Sequence, residues 1–422
     1  MTSSPEHALP NLSIDAQRLW DTIMETAEIG GTPKGGVKRL TLTDLDRQVR
    51  DWFVDAAKAA GCSVAIDEMG NIFATRPGRD NSLAPVACGS HLDTQPTGGK
   101  FDGILGVLAG LELIRTLNDV GYETEAPIMV VNWTNEEGSR FAPAMVSSGV
   151  YAGAFDLDYA YDRTDRDGER LGDALAAIGY RGDDAVGQQK IGSFFELHIE
   201  QGPILEAEET TIGIVTGAQG TRWYDVTIVG RESHAGTTPM ALRRDALAGA
   251  AELILAVERI AKEQSPPGVG TVGEVTIAEP SRNVVPGSVR LTVDMRHPAA
   301  DALAAMDRQM RQALTEIGTR RSLDVDADEI WYSSPLEFDP DCVGLVRAAA
   351  ERQGLSHQNI VSGAGHDACY LARVLPTAMV FVPCRDGISH NEVEHAELEH
   401  CAAGANVLMH AVLARANAPA AG

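Results

Sequence analysis

The stretch PVACGSHLDTQPTGGKFDGILGVLAGLELIRTL, residues 85–117, joins a short apolar run to a long one through a polar segment rich in glycine. Residues 85–90 have the length and composition of a buried β-strand, and residues 105–117 are typical of a helix. The segment between them carries His91 and Asp102. Strand, polar turn and helix in this order form the repeating unit of an α/β domain, which binds its ligands at the carboxyl ends of its strands. We therefore predict an α/β fold with a functional site in this turn.

The pattern changes in the second half of the chain. From residue 218 it predicts a strand, a helix, two strands, a helix and a last strand, which is the β-α-β-β-α-β order of a ferredoxin-like domain. After residue 335 the α/β alternation resumes, and the apolar run at residues 377–382 predicts a further strand. The sequence thus predicts a discontinuous first domain at residues 1–217 and 333–422, with a second domain inserted at residues 218–332.

Composition excludes several classes of protein. The 422 residues are 44% hydrophobic and 23% charged, which is ordinary for a globular chain long enough for two domains. A formal net charge of -25 repels nucleic acid and anionic membrane surfaces. No signal-peptide pattern or run of eighteen apolar residues is found, so the expected location is the cytoplasm. The six cysteines form no CxxC pair, which predicts reduced thiols rather than disulfides.

Five segments each present a possible metal ligand at a strand end or in a turn. The residues are His91, Asp102, the pair Glu136 and Glu137, His198 and His390. Imidazole and carboxylate together suit zinc, manganese, nickel or cobalt. A single histidine of this kind is more often a surface or core residue, and a single turn aspartate is more often solvated. The metal interpretation therefore depends on their joint occurrence.

Spacing suggests how some of these residues could work. In a strand, His91 and Asp93 would lie on one side, so Asp93 could accept the second imidazole proton. Glycines around Asp102 allow a tight turn in which one carboxylate could reach two cations. Of the adjacent acids Glu136 and Glu137, one could bind a metal while the other moves protons. The alternative, a solvated acidic loop, is disfavoured by the apolar strand that precedes it.

The ordered segments resemble the M20 family of metallopeptidases and amidohydrolases over nearly the whole chain. Resemblance to its hydantoinase/carbamoylase branch is carried by GSHLDTQPTGGKFDG (89–103), NEEGSRF (135–141), ELHIEQGPILE (196–206), SHAGTTPM (233–240), NVVPG (283–287), DMRHP (294–298) and GISHN (387–391). This branch contains N-carbamoyl-L-amino acid hydrolases, β-ureidopropionases and allantoate amidohydrolases. The resemblance implies a mixed-sheet α/β metallohydrolase domain with an inserted ferredoxin-like (α+β) lid and dimerisation domain.

The resemblance also assigns roles to individual residues. Two divalent metal ions, zinc in the first place and manganese, cobalt or nickel otherwise, are expected on His91, Asp102, Glu137, His198 and His390. Asp102 is the implied bridge between the ions, and Glu136 the implied general base. The implied substrate-binding residues are Gln201, His234, Asn283 and Arg296. His234 is also expected to stabilise the oxyanion. One departure is Glu392, which stands where relatives often carry proline.

The implied reaction is hydrolysis of the ureido C–N bond of N-carbamoyl-L-amino acids, giving the amino acid, carbon dioxide and ammonia. The implied assembly is a homodimer formed through the inserted domain. β-Ureidopropionase and allantoate amidohydrolase are alternatives. A dipeptidase or a non-catalytic metal-binding homologue is disfavoured, the latter because every position expected for catalysis holds the expected residue. A carbamoyltransferase would need a phosphate-binding glycine loop or arginine cluster, which the sequence lacks.

Overall fold

A computed structural model describes residues 12–418. It divides into two compact units, the first made of the residues up to 216 and from 338 onward, and the second of residues 217–337. For comparison, the sequence predicts the inserted domain at residues 218–332. The second unit extends further because a two-residue strand, Leu336–Glu337, pairs with residues 217 and 218.

Helices in the described residues are α1 (Ala16–Ala27), α2 (Asp44–Ala59), α3 (Ile104–Asp119), α4 (Val146–Tyr151), α5 (Leu157–Tyr161), α6 (Leu171–Ala177), α7 (Ile204–Ala207), α8 (Ala246–Glu263), α9 (Ala300–Arg321), α10 (Pro340–Arg352), α11 (Asp367–Leu371) and α12 (Leu398–Ala416). Several begin where the sequence offers a cap. The side chains of Thr43, Asp245 and Asp339 accept hydrogen bonds from the first turns of α2, α8 and α10. Such caps satisfy backbone N–H groups that have no partner within the helix.

Strands in the same residues are β1 (Ser63–Ile66), β2 (Ile72–Arg76), β3 (Val86–His91), β4 (Ile128–Trp133), β5 (Ser193–Ile199), β6 (Ile212–Ala218), β7 (Gly220–Val229), β8 (Ser233–His234), β9 (Val269–Ile277), β10 (Val284–Val285), β11 (Ser288–His297), β12 (Asp324–Ser333), β13 (Leu336–Glu337), β14 (His357–Ser362) and β15 (Thr377–Val382). They form a nine-stranded sheet, a four-stranded sheet and a two-stranded ribbon.

The larger sheet has the order β1-β2-β4-β3-β5-β15-β6-β13, with β14 beside β6. Neighbours among β4, β3, β5 and β15 are parallel, whereas β2 and β6 are antiparallel to the strands they join. Every residue of the four parallel strands is buried. Parallel strands in an α/β sheet are expected to be buried on both faces. The predicted mixed-sheet α/β fold is therefore confirmed.

The second unit follows the β-α-β-β-α-β order with β7, α8, β9, β11, α9 and β12. Its sheet has the order β12-β7-β11-β9, and all neighbours are antiparallel. Side chains of β11 alternate between buried and more exposed positions. The buried residues Val289, Leu291 and Val293 join a core that includes Leu253 of α8 and Met306 of α9. Helices thus cover one face of this sheet, as in a ferredoxin-like layer.

Among the residues described, no helix combines the length and the apolar character needed to cross a membrane.

Candidate metal centre

The candidate ligands of the first unit lie at the carboxyl ends of neighbouring strands. His91 is the last residue of β3, and His198 is the last but one of β5. Glu136 and Glu137 follow β4, which ends at Trp133. Open α/β sheets bind ligands at this edge. The strand order therefore brings together side chains that are far apart in sequence.

Two groups of side chains could each hold a metal ion. In the first, one ligand atom each from His91, Asp102 and His198 lie within 4.8 Å of one another, and Asp102, Glu137 and His390 meet the same condition in the second. Asp102 belongs to both groups. Its Oδ1 lies 3.1 Å from His198 Nε2, and its Oδ2 lies 3.5 Å from His390 Nε2. A carboxylate that turns one oxygen to each group has the geometry of a bridging ligand.

A tight turn positions Asp102. The next residue, Gly103, has φ +69°, and a Cβ added there would lie 2.2 Å from the His91 ring. The backbone N–H groups of Phe101 and Asp102 both donate to Glu394 Oε1 at 3.0 Å. Ser389 Oγ lies 2.8 Å from Asp102 Oδ2 and 2.9 Å from Glu394 Oε2. The buried Glu394 thus fixes both the backbone and the side chain of Asp102.

Backbone carbonyls set the tautomers of the two buried histidines. His91 Nδ1 is 2.9 Å from the carbonyl oxygen of Asp93, and His198 Nδ1 is 2.9 Å from that of Ile199. A carbonyl oxygen can only accept, so each Nδ1 carries the proton. In the neutral form of each ring, Nε2 then has the lone pair that could bind a metal ion, and in both residues this atom lies on the side of Asp102. At His198 Nε2, a metal ion would take the place of a second proton that otherwise binds to Asp102.

The predicted role of the Asp93 side chain is wrong. Its Oδ1 is 3.8 Å from His91 Nδ1, too far for a hydrogen bond. The carboxylate instead accepts from the backbone N–H groups of Glu136 and Glu137, at 3.3 and 3.4 Å. Because β3 ends at His91, the alternation of a strand does not extend to Asp93. Asp93 therefore braces the glutamate loop, and its backbone orients the imidazole.

The start of the glutamate loop is held by a buried ion pair. Arg50 Nε lies 2.8 Å from Asp46 Oδ2, and both side chains are fully buried. The guanidinium also donates to Gly70 O at 2.8 Å and to Thr134 Oγ1 at 3.2 Å. Thr134 follows β4 directly. Buried charges of this kind are stable only when paired and hydrogen-bonded, so the cluster fixes the backbone just before Glu136.

The two adjacent glutamates have different surroundings. Glu137 belongs to the second ligand group, where its Oε2 lies 3.5 Å from His390 Nε2. The same oxygen accepts a hydrogen bond from Gln95 Nε2 at 2.7 Å. Glu136 belongs to neither group, and its Oε2 lies 3.4 Å from His91 Nε2. One glutamate is thus placed as a ligand, and the other beside the centre.

Electrostatics favour a cation here. Burial, with the charges of Asp367 and Glu137, raises the pKa of Glu136 well above its usual range, and burial also raises the pKa of Glu137. Burial lowers the pKa of His91 to about 4, which keeps the imidazole neutral. Burial also opposes protonation of His198, but the hydrogen bond and charge of Asp102 outweigh it and raise the pKa to about 9. Divalent ions would relieve the repulsion among these carboxylates, and the donor set suits them.

Gln201 lies among the candidate ligands. Its Nε2 donates to Asp102 Oδ2 at 2.9 Å and lies 3.4 Å from His390 Nε2.

A further group able to hold an ion comprises Glu196, His198 and His366. Glu196 is already hydrogen-bonded, accepting from Ser90 Oγ at 2.6 Å and from the backbone of α11 at 3.1 Å.

Sequence reasoning missed the roles of Gln95, Glu196 and Ser389. Of these, Glu196 had a detectable signal, because it stands two residues before His198 and so on the same face of β5. Gln95 and Ser389 lie in loops whose contacts depend on the tertiary fold. No local pattern in the sequence identifies them.

The other predicted substrate-binding residues belong to the second unit, where the structure brings His234 and Asn283 together. His234 pairs with Val284 in the β8–β10 ribbon, and Ala235 N donates to Asn283 O at 2.9 Å. His234 Nδ1 accepts from the backbone N–H groups of residues 236 and 237, at 3.0 and 3.2 Å. Its proton is therefore on Nε2, which makes the exposed edge of this ring a hydrogen-bond donor.

Arg296 lies in β11, one residue before its end. Its guanidinium is half-buried and forms an ion pair with Asp294, with Nη2 2.8 Å from Oδ2. The two residues are on the same face of the strand because they are two positions apart.

An α/β sheet with histidines and carboxylates gathered at its strand ends is the arrangement that metal-dependent hydrolases use. Residues 87–414 match peptidase family M20/M25/M40, and the chain belongs to this family. The resemblance identified from the sequence motifs is therefore confirmed.

Relatives of known name and structure span almost the whole chain. The N-carbamoyl-L-amino-acid amidohydrolase of Rhizobium meliloti is 51% identical over 403 residues, which are 96% of this chain and 97% of that protein. The crystal structure of an amidase of the hydantoinase/carbamoylase family from Burkholderia multivorans is 58% identical, with a TM-score of 0.94, and covers 97% of this chain and 100% of that one. The allantoate amidohydrolase of Escherichia coli (strain K12) is 33% identical over 394 residues, covering 93% of this chain and 96% of that protein.

Proposed function

We propose that this protein hydrolyses the ureido C–N bond of N-carbamoyl-L-amino acids. Water adds its oxygen to the ureido carbonyl carbon, the bond to the amino-acid nitrogen breaks, and that nitrogen takes up a proton. The products are the L-amino acid and carbamate, which decomposes to carbon dioxide and ammonia. The observation that carries the proposal is the placement of Glu136, a buried carboxylate beside two ligand groups that share Asp102. The name of the 51% identical relative supports the substrate.

Two divalent ions would be held by the two ligand groups. His91 and His198 would bind one ion, Glu137 and His390 the other, and Asp102 both. When bound, the ions would polarise the ureido carbonyl and lower the pKa of a water molecule. Imidazole and carboxylate ligands favour zinc, and manganese, cobalt and nickel are alternatives.

Glu136 is the proposed general base. Its carboxylate lies next to the ligand groups without belonging to them, so it stays free to exchange a proton. It would take a proton from the attacking water and deliver it to the leaving nitrogen. His234 would donate its Nε2 proton to the oxygen that becomes negative, because its Nδ1 already accepts from the backbone.

Substrate recognition is proposed to involve both units. Arg296 has the planar fork that binds a carboxylate with two parallel hydrogen bonds. Its guanidinium forms an ion pair with Asp294, and the substrate carboxylate would take the place of Asp294. Gln201 and Asn283 are the further proposed substrate contacts, and both offer amide donors and acceptors suited to a ureido group.

The second unit is also proposed as a lid and as the surface of a homodimer. It exposes large apolar side chains, with Met240 at 77%, Leu242 at 63% and Leu255 at 63%. Contiguous exposed apolar side chains are typical of protein–protein contacts, and Met240 and Leu242 stand only two positions apart. A dimer formed through this unit would cover such residues.

A substrate panel tests the proposal. Purified enzyme should release ammonia fastest from N-carbamoyl-L-methionine, and more slowly from N-carbamoyl-β-alanine and allantoate. A dipeptide yields no ammonia, so its hydrolysis is followed as free amino acid and should also be slower. Exhaustive removal of metal with a chelator should abolish the activity, and added Zn²⁺, Mn²⁺, Co²⁺ or Ni²⁺ should restore it. Full turnover without metal, or a preference for allantoate, would refute the proposal.

A further inference from the structure

The turn that carries His390 is fastened to a distant loop by Glu392. Thr32 Oγ1 donates to Glu392 Oε1 at 2.6 Å, and Lys34 Nζ lies 3.4 Å from Glu392 Oε2. Thr32 Oγ1 also accepts from Gly36 N at 3.2 Å. An ionised carboxylate can only accept, so the Thr32 hydroxyl donates its proton to Glu392. Both carboxylate oxygens of Glu392 therefore contact the loop that contains Thr32 and Lys34.

The loop at residues 32–36 lies directly against this turn. A Cβ added at Gly36 would be 2.6 Å from Glu392 Cα and 2.5 Å from Gly98 O. The neighbouring Val37 N donates to the same Gly98 oxygen at 2.9 Å. The backbone of the loop therefore fits between the His390 turn and the glycine-rich segment that leads to Asp102.

Among the proposed ligands, His390 needs such support most. His91 and His198 are fixed by burial, with side chains 1% exposed, whereas the His390 side chain is 51% exposed. His390 also has φ +54°, a backbone conformation that residues other than glycine seldom adopt. Such a conformation persists only where surrounding contacts impose it. Glu392, two residues further along the chain, supplies part of those contacts, and Thr97 Oγ1, 3.4 Å from the carbonyl oxygen of His390, supplies another.

We propose that Glu392, Thr32 and Lys34 form a clasp that positions His390 and thereby retains the ion of the Asp102–Glu137–His390 group. The clasp rests on the proposed two-ion centre. Glu392 itself is a positioning residue, since it acts through the turn and not as a ligand.

Metal release from the loaded enzyme tests the clasp. Glu392→Ala, Thr32→Val, the double variant and wild type are loaded with two equivalents of Zn²⁺ and mixed with a coloured chelator. Each single variant should release one of its two ions about tenfold faster than wild type, in the range expected for supporting contacts around a ligand. The double variant should be no faster than Glu392→Ala alone, because that change already removes the contacts with both Thr32 and Lys34. Release of the other ion should be unchanged.

Two controls isolate the contact. Thr32→Ser keeps the hydroxyl and should release both ions like wild type. Glu399→Ala removes an equal charge from an exposed position on α12 and should also behave like wild type. Wild-type release rates in Glu392→Ala and Thr32→Val, or equal acceleration of both ions, would overturn the clasp while leaving the proposed function intact. A wild-type enzyme that holds fewer than two ions would overturn the two-ion centre and the clasp with it.

Discussion

Glu136 and Glu137 are adjacent residues of one type, and their neighbours separate them. Glu137 is held by Gln95 and faces His390, whereas Glu136 lies beside His91 and outside both ligand groups. Asp93 accepts the backbone N–H of each, so the loop presents both carboxylates in fixed positions. A ligand must stay ionised, and a general base must exchange a proton. The two positions suit these two tasks.

Replacing each glutamate by glutamine should therefore give different defects. Glu136→Gln should keep two ions per chain and near-normal KM while kcat falls by about 100-fold or more, the usual contribution of a positioned general base. Glu137→Gln should lower metal occupancy, because a neutral amide is a poorer ligand than a carboxylate. Elemental analysis and steady-state kinetics on both variants check this. Equal metal loss and equal kinetics in the two variants would contradict the assignment.

At this scale the sequence could identify residue types but not all of their partners. His91, Asp102 and His390 stand out because each occurs in a distinctive motif. The contact between Asp93 and the glutamate loop could not be predicted, because it depends on the chain leaving strand geometry after His91. Gln95 is likewise revealed by the fold alone.

Among the elements, α3 shows how a helix start can shape a metal site. It begins just after Gly103, whose positive φ directs Asp102 toward the histidines. A side chain at position 103 would collide with the His91 ring. Beyond the other end of the helix, Gly121 also has a positive φ, at +65°, but a Cβ there would meet nothing within 4 Å. Both glycines have a left-handed backbone, but only at Gly103 would a side chain also collide with a neighbour.

Alanine at these two positions should act differently. Gly121→Ala should cost about 1–2 kcal/mol of stability, from the left-handed backbone alone, and should leave metal content and activity unchanged. Gly103→Ala should cost more and should lose metal, because the imidazole of His91 must move. Denaturant unfolding and elemental analysis of both variants check this. A Gly103→Ala protein with full metal content would show that the turn tolerates a side chain.

Strands β15 and β14 show which local patterns reveal a strand in the first unit and which do not. Strand β15 is found at Thr377–Val382, the bounds that the apolar run at residues 377–382 predicts, and all of it is buried. Strand β14, His357–Ser362, was not predicted, since it is largely polar and mostly not buried. It pairs with β6 off the main order of the sheet. Strand β14 forms because it pairs with β6, and the local sequence of β14 does not indicate that pairing.

On the scale of the whole molecule, His410 joins the last helix to the beginning of the described chain. Its Nε2 lies 2.9 Å from the carbonyl oxygen of Leu12, so this nitrogen carries the proton. Its Nδ1 is buried without a hydrogen-bond partner among the described residues. Burial lowers the pKa of His410 below its usual 6.5. The folded protein therefore holds this ring neutral.

Stability should consequently fall as the solution is acidified. Below pH 6.5 the unfolded chain takes up a proton at this histidine before the folded protein does, so the contribution of the neutral ring is lost as the pH falls from there toward the lowered value. His410→Gln keeps a donor for Leu12 and should lose less stability than wild type between pH 7 and pH 5. His400→Gln, on the same helix, is the matched control and should follow wild type. Identical pH profiles for His410→Gln and wild type, from denaturant unfolding, would contradict this role.

The proposed base and the proposed oxyanion donor belong to different units, Glu136 to the first and His234 to the second. If the second unit forms a twofold dimer and His234 serves the partner chain, Glu136→Gln and His234→Ala should complement each other. Each variant alone should be nearly inactive, because each of its sites lacks one group. A hybrid dimer would contain one site with both changes and one with neither. Random reassociation of equal amounts makes half of the dimers hybrids, so the mixture should recover about a quarter of wild-type activity. Differently tagged chains allow the hybrids to be purified and assayed directly. Inactive hybrids would show that His234 acts within its own chain, and the proposed exchange between chains would then be wrong.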